Sequence, residues 1–146
     1  VLVLDPGRTP ANAVYGQLAD DFAAKLGALN DDVKACPNLV VMCGAAAGQR
    51  GWESEELGTT AFAHFVLRGI QGEAATGPAD VITARMLFEY ARDKTADWAS
   101  ENRPAAQTPF LLPDGEDGLA VAAAINLTTR ATVPPPTPPA FAVPDD

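Results

Sequence analysis

Val1-Leu2-Val3-Leu4-Asp5-Pro6-Gly7 and Leu39-Val40-Val41-Met42-Cys43 are the two stretches whose reading decides the fold. Each is a short, unbroken apolar run rich in β-branched residues and bounded by turn formers. Such a run reads as a strand buried on both faces rather than one alternating between core and water. Asp5-Pro6-Gly7 ends the first run and Pro37-Asn38 introduces the second. A central strand seldom opens an intact domain, because its neighbour would be left with an apolar edge, so we expect sequence upstream of Val1.

Between the two runs, Leu18, Phe22, Leu26, Leu29 and Val33 recur at helical spacing and predict a helix over about residues 15–33. Residues 44–58 follow the second run as a long loop rich in Gly and Ala, carrying Gln49, Arg50 and Trp52; that length suggests a binding loop rather than a simple connector. Thr59 or Thr60 caps a helix reaching about Ile70, with Phe62, Phe65, Val66 and Ile70 inward. After a turn over residues 72–80, Asp80 or Thr83 starts a second helix. Its stripe of Ala84, Leu87, Phe88, Ala91, Thr95 and Trp98 runs to about Asn102, where Pro104 stops it. Thr108 to Leu112 reads as a third, short strand, and Pro109 assigns it to an edge.

Leu119 to Leu127 suggests a short helix. From Val133 to Pro144, six prolines among small residues read as a stiff linker or tail. The organisation expected is therefore a domain over residues 1–113, an extension over 114–132 and a proline-rich tail over 133–146. Strand, helix, strand, helices, strand describes parallel crossover units, an α/β class with helices flanking a sheet of which three strands are visible.

Composition narrows the function. The 146 residues suffice for one domain. Ten Lys and Arg face 19 Asp and Glu, a formal net charge of −9, and no basic cluster interrupts that field. Such a molecule repels phosphate backbones, so no nucleic-acid partner is expected. No apolar run reaches the roughly 18–20 residues of a membrane span, and no signal-peptide pattern opens the chain. Cys36 and Cys43 make neither a disulfide framework nor a zinc pattern, and free thiols fit a reducing, cytoplasmic setting. No cofactor or metal is expected. Asp114-Gly115-Glu116-Asp117-Gly118 lacks calcium-loop spacing.

Three segments, taken in order, resemble the caspase-like peptidases: caspases, metacaspases and their bacterial relatives. Val3-Leu4-Asp5-Pro6-Gly7 resembles the strand end that carries the family's nucleophile, usually Leu-Asp-Ala-Cys or Asp-Ser-Cys. Val40-Val41-Met42-Cys43 and then Gly48-Gln49-Arg50-Gly51-Trp52-Glu53-Ser54-Glu55-Glu56-Leu57-Gly58 resemble the next strand and its loop. Trp98 through Arg103, then Gln107-Thr108-Pro109, resemble the lead into the final strand. The resemblance covers about residues 1–113 and implies the C-terminal half of a three-layer caspase-like fold. It also implies a catalytic His upstream of this chain and a peptide or protein partner.

The chain departs from the pattern where the chemistry sits. Counting from Asp5, Gly7 occupies the expected cysteine position, and glycine supplies no nucleophile. Gly48 stands where metacaspases have an acidic residue before the loop Gln. The leading expectation is thus a binding or scaffolding module that has lost its catalytic cysteine. The alternative is an active cysteine endopeptidase using an upstream His, with Cys43 as a relocated nucleophile at the carboxyl end of its strand, where doubly wound sheets place ligands. Against that stands the ordinary role of a cysteine ending an apolar strand, a small buried hydrophobe. Cys36 falls at the opposite end of that strand, and His64 lies inside a helix; neither is a catalytic candidate. Asp5 is either a pocket carboxylate, as the matching Asp is in metacaspases with a basic P1 side chain, or a cap on its turn. Gln49, Arg50 and Trp52 either line a peptide groove or hold a loop folded on itself. Glu53, Glu55 and Glu56 read as a solvated run favouring the next helix N-terminus. A third reading, an unrelated nucleotide-binding doubly wound domain, lacks the glycine-rich phosphate loop it would need.

Overall fold

The computed structural model describes residues 1–6, 14, 20–76 and 81–129, so Gly7, Leu18 and the proline-rich segment lie outside the described residues. The fold is mixed α/β. Strand β1 (Leu2–Leu4) pairs in parallel with β2 (Val41–Cys43), Leu2 opposite Val41 and Leu4 opposite Cys43. β6 (Phe110–Leu112) closes the other side of β2, giving the order β1-β2-β6. Among the described residues the third strand is short and at an edge, as expected from Pro109, but it runs antiparallel to β2. This corrects the expectation of parallel crossovers throughout. Strand direction depends on the path of the preceding connection, which the apolar run of a three-residue strand does not encode.

β2 is buried across its width, whereas Val1, Leu2 and Val3 of the β1 segment are 45%, 47% and 39% exposed. The expectation of a first strand buried on both faces fails on this point. Among the described residues β1 has a neighbour on one side only, and a continuous apolar run fixes composition but not position in the sheet.

Alternation along the strands sorts the core into two clusters. Val40, Met42 and Leu111 join Phe62, Val66, Ile82, Leu87 and Phe88 on one side. Val41 and Leu112 join Val33 on the other, with Leu4, Leu26 and Phe110 packed against them. The period-2 alternation of side chains along the strands produces this division.

The predicted helix over residues 15–33 resolves, within the described residues, into α1 (Phe22–Gly27) and α2 (Asn30–Ala35). Gly27 weakens the first helix where the stripe would have to continue. Phe22 and Leu29 are 43% and 47% exposed, so among the described residues of the stripe only Val33 is buried. α3 (Ala61–Arg68) opens on Thr60, whose hydroxyl accepts from the Ala63 N–H at 3.2 Å. Phe62 and Val66 face inward as expected, but Ile70 is exposed: the α-helix gives way to a kinked π-helical segment over Gly69–Glu73 in which Gly72 takes φ 123°.

α4 (Ala84–Asn102) follows its sequence signature closely. Thr83 caps it through the Met86 N–H at 3.2 Å, and Ala84, Leu87, Phe88, Ala91 and Thr95 are buried. Two short pairings went unforeseen: β3 (Glu53–Ser54) with β4 (Thr59–Thr60), inside the expected loop, and β5 (Val81–Thr83) with β7 (Asn126–Thr129). The helix expected at residues 119–127 is α5 (Gly115–Ala124), which starts and ends earlier. Ala122 is fully buried in the larger cluster, so residues 115–129 share the core of the preceding segment.

Candidate functional site

The parallel ladder of β1 and β2 extends one step past both strands, where the Gly44 N–H donates to the Leu4 carbonyl at 2.9 Å. Asp5 and Gly44 therefore leave the sheet side by side at the carboxyl ends of the strands. A Cβ at Gly44 would stand 2.6 Å from Asp5 Oδ1 and 2.7 Å from Phe62 Cδ1, so glycine is required by this close approach. Asp5 Oδ2 accepts a hydrogen bond from the Thr60 hydroxyl. That hydroxyl also caps α3, so one oxygen joins the end of β1 to the start of the helix. Asp5 Oδ1 is enclosed and has no hydrogen-bond partner among the described residues.

Cys43 is fully buried and directs its thiol at the Ala45 carbonyl, 3.6 Å away. Burial pushes the thiol pKa up, backbone hydrogen bonding at Ala45 pulls part of the way back, and the charge of Asp5 raises it further. A nucleophilic cysteine needs the reverse shift and an open approach. Cys36 is exposed and precedes β2, at the end of the sheet away from Asp5. His64 lies in α3 with its ring edge-on to Phe65, centroids 5.2 Å apart.

The segment after β2 is fastened to the residues before β6 by two glutamines. Gln49 takes the Thr108 N–H on Oε1 at 2.6 Å and donates from Nε2 to the Thr108 hydroxyl at 3.2 Å. Gln107 is fully buried; its Nε2 donates to the Gly44 carbonyl at 2.8 Å and its Oε1 accepts the Trp52 N–H at 3.0 Å. Both ends of the amide are used, which satisfies backbone groups that a buried loop would otherwise leave unpaired. Trp52 is held further by its carbonyl, which accepts from Ala61 N–H at 2.8 Å, and by its indole N–H, which donates to the Ala105 carbonyl at 3.1 Å.

Beside this fastened loop lies an open cleft of about 750 Å³, lined among others by Arg50, Trp52, Glu53, Thr60 and Arg103. Arg50 stands 5.0 Å from the Trp52 ring centre. Arg103 lies between two indoles, 5.8 Å from Trp52 and 4.5 Å from Trp98, and donates to the Glu53 and Asn102 carbonyls at 2.9 Å each.

Of the residues singled out in the sequence, Trp52 lines the cleft, Asp5 reaches its edge through Thr60, and Gln49 braces the loop. Cys43 lies beneath, in the core. Gln107, Thr60 and Arg103 carry the arrangement without having been assigned a role there. Gln107 offers one signal, an isolated amide next to an apolar strand, but its two partners are 55 and 63 residues away in the chain. Among the described residues, no group of three or more His, Cys, Asp or Glu could hold a metal ion, and no helix is long and apolar enough to cross a membrane. Comparison of the chain with protein-family models, curated proteins and solved structures found no match in any of the three.

Proposed function

We propose that the chain forms part of a caspase-like domain that has lost its nucleophile and binds an extended peptide or protein segment without cleaving it. The observation that carries this reading is the parallel, adjacent pairing of β1 with β2, which brings the end of β1 to the same sheet end as the Trp52 loop. In the family pattern a cysteine two residues beyond Asp5 would attack a substrate lying there; this chain has Gly7, which has no group to acylate. The rival nucleophile, Cys43, is enclosed and keeps its proton more tightly than an ordinary thiol. What remains is a cleft with a rigid aromatic wall and a braced loop, suited to holding a chain rather than cutting it. The exposed free thiol Cys36 fits a reducing compartment such as the cytoplasm.

The test is to incubate the chain with peptides bearing basic or acidic P1 residues and to follow both retention and hydrolysis. Retention without turnover is expected. Hydrolysis that disappears in Cys43→Ala would overturn the proposal in favour of an active peptidase.

A further inference from the structure

The six prolines within residues 133–144 are a strong sequence signal that the Trp52 cleft leaves unused. At the opposite end of the sheet from that cleft, an open groove of about 450 Å³ runs between the α2–β2 connection and α5. Its apolar wall is made by Pro37, Leu39, Pro113, Ala120 and Val121, and Cys36 stands beside them. Pro37 and Ala120 are exposed and Leu39 and Val121 half-buried. Leu39 packs against the smaller core cluster and Val121 against the larger one, so the groove has a wall on each. Contacts between the walls hold it open. Lys34 of α2 is ion-paired with Asp117 of α5 at 2.6 Å, and Asn30 Oδ1 accepts the Asp114 N–H at 2.9 Å. A Cβ at Gly118 would stand 1.6 Å from the Pro113 carbonyl oxygen, so α5 lies directly against the end of β6. The groove is therefore preformed.

We propose that this groove is the docking site of the chain's own proline-rich segment, with the Phe141 ring seated against Pro37, Pro113 and Val121. Reach allows it. From Val121 to Thr129 the chain spans at most about 22 Å, three steps of helix and five extended. Phe141 is twelve residues beyond Thr129, about 37 Å at the rise of a polyproline helix, so it returns to the groove with slack. Chemistry selects it. Residues 131–144 carry no charge, whereas Asp31, Asp114 and Asp117 surround Lys34 at the rim, so the neutral stretch fits there and the terminal Asp145-Asp146 does not. Residues 134–139 are five prolines and Thr137, a backbone with one N–H and six carbonyl acceptors. Lys34 and Asn38 supply donors at the groove. Phe141 is the only aromatic residue after β6 and lies between two alanines, which leave its ring room to enter. Proline-rich segments also lose little entropy on docking, because their backbone is already restricted. A segment tethered this closely faces the groove at an effective concentration on the order of millimolar, ahead of any second copy at micromolar levels. The inference is independent of the peptide-binding reading, which concerns the other end of the sheet.

Cys36 lines the groove and serves as the probe. The experiment measures its rate of alkylation by iodoacetamide in the full chain, with mass spectrometry separating it from Cys43. Phe141→Ser should speed alkylation of Cys36 about tenfold, the gain expected when a segment docked for roughly nine-tenths of the time is released. Ala120→Asp, an exposed substitution inside the groove, should do the same, and Thr137→Ser should leave the rate unchanged. Circular dichroism checks that the three variants are folded, and Cys36 stays the faster thiol in all of them because Cys43 is enclosed by the core. The wild-type rate should not vary over roughly a hundredfold range of chain concentration, as docking within one molecule requires. Rates within about twofold of each other for wild type and Phe141→Ser overturn the proposal. Acceleration by Phe141→Ser without acceleration by Ala120→Asp overturns the groove as the docking site. A wild-type rate that falls as concentration rises gives the segment to a neighbouring copy and overturns docking within the chain.

Discussion

Cys43 and Cys36 have the same chemistry and opposite surroundings. Cys43 sits at the end of a fully buried strand, while Cys36 follows α2 in solvent. With the native chain at pH 8, Ellman's reagent should titrate one thiol promptly and the second only after denaturant is added; two fast thiols would contradict the enclosure of Cys43. Burial holds the folded thiol pKa above the usual 9.0, so the folded state retains a proton that the unfolded chain has released. The stabilisation tied to that proton is complete below pH 9 and is lost as pH climbs toward the folded pKa. Tyr90, pushed up to about 12 by burial and by its hydrogen bond to Glu73, acts with the same sign. The difference between the wild type and Cys43→Ala therefore isolates the thiol: their stability gap in urea should narrow above pH 9. At this scale, the sequence singled out Asp5, Gln49 and Trp52 because turn and loop chemistry is local. It did not reveal Gln107 or Arg103, whose roles depend on partners brought near by the fold.

Thr60 shows how a single side chain connects elements. Its hydroxyl caps α3 and donates to Asp5 at the end of β1. Thr60→Ala removes the cap and leaves a half-buried carboxylate without its donor, a loss of about 1–3 kcal/mol. Thr60→Ser keeps the oxygen and should lie within about 0.5 kcal/mol of the wild type, because both hydroxyls cap helices and serine does so at least as well. Urea unfolding of the pair separates a hydrogen-bond effect from a packing effect; equal midpoints for Thr60→Ala and wild type would dismiss the connection. The elements that were legible share a physical reason. α4 has nineteen residues, a cap, a continuous stripe and a stopping proline, so several local signals agree. β3, β4, β5 and β7 span two to four residues each, too short for a period of two to repeat convincingly. The split between α1 and α2 depends on Gly27 and on which stripe residues find a surface to cover, and the second of these is a tertiary fact.

Across the whole molecule, burial is divided unequally between the two faces of the sheet. α4 contributes six buried residues and α3 three, whereas α2 contributes Val33 alone and α1 none. Isolated helices of six residues are far below the length of about 12–15 at which helices persist without packing, so α1 and α2 depend on the small Val33, Val41 and Leu112 cluster. Elements with little buried area open at low free-energy cost, and their amides exchange through those openings rather than through global unfolding. Hydrogen exchange should therefore find the amides of α1 and α2 at least about a hundredfold less protected than those of the buried face of α4, a gap of roughly 3 kcal/mol in opening free energy. The cleft belongs to the better-packed side, since Trp52 is tied to Ala61 at the start of α3 and to Gln107 before β6. A retained peptide should accordingly add protection at the Trp52 and Ala61 amides and leave α1 and α2 unchanged. Equal protection of α1 and α4 in the free chain would show that the smaller cluster holds its helices as firmly as the larger one, and protection spreading into α1 and α2 on peptide addition would mean that the cleft is coupled to the far face of the sheet.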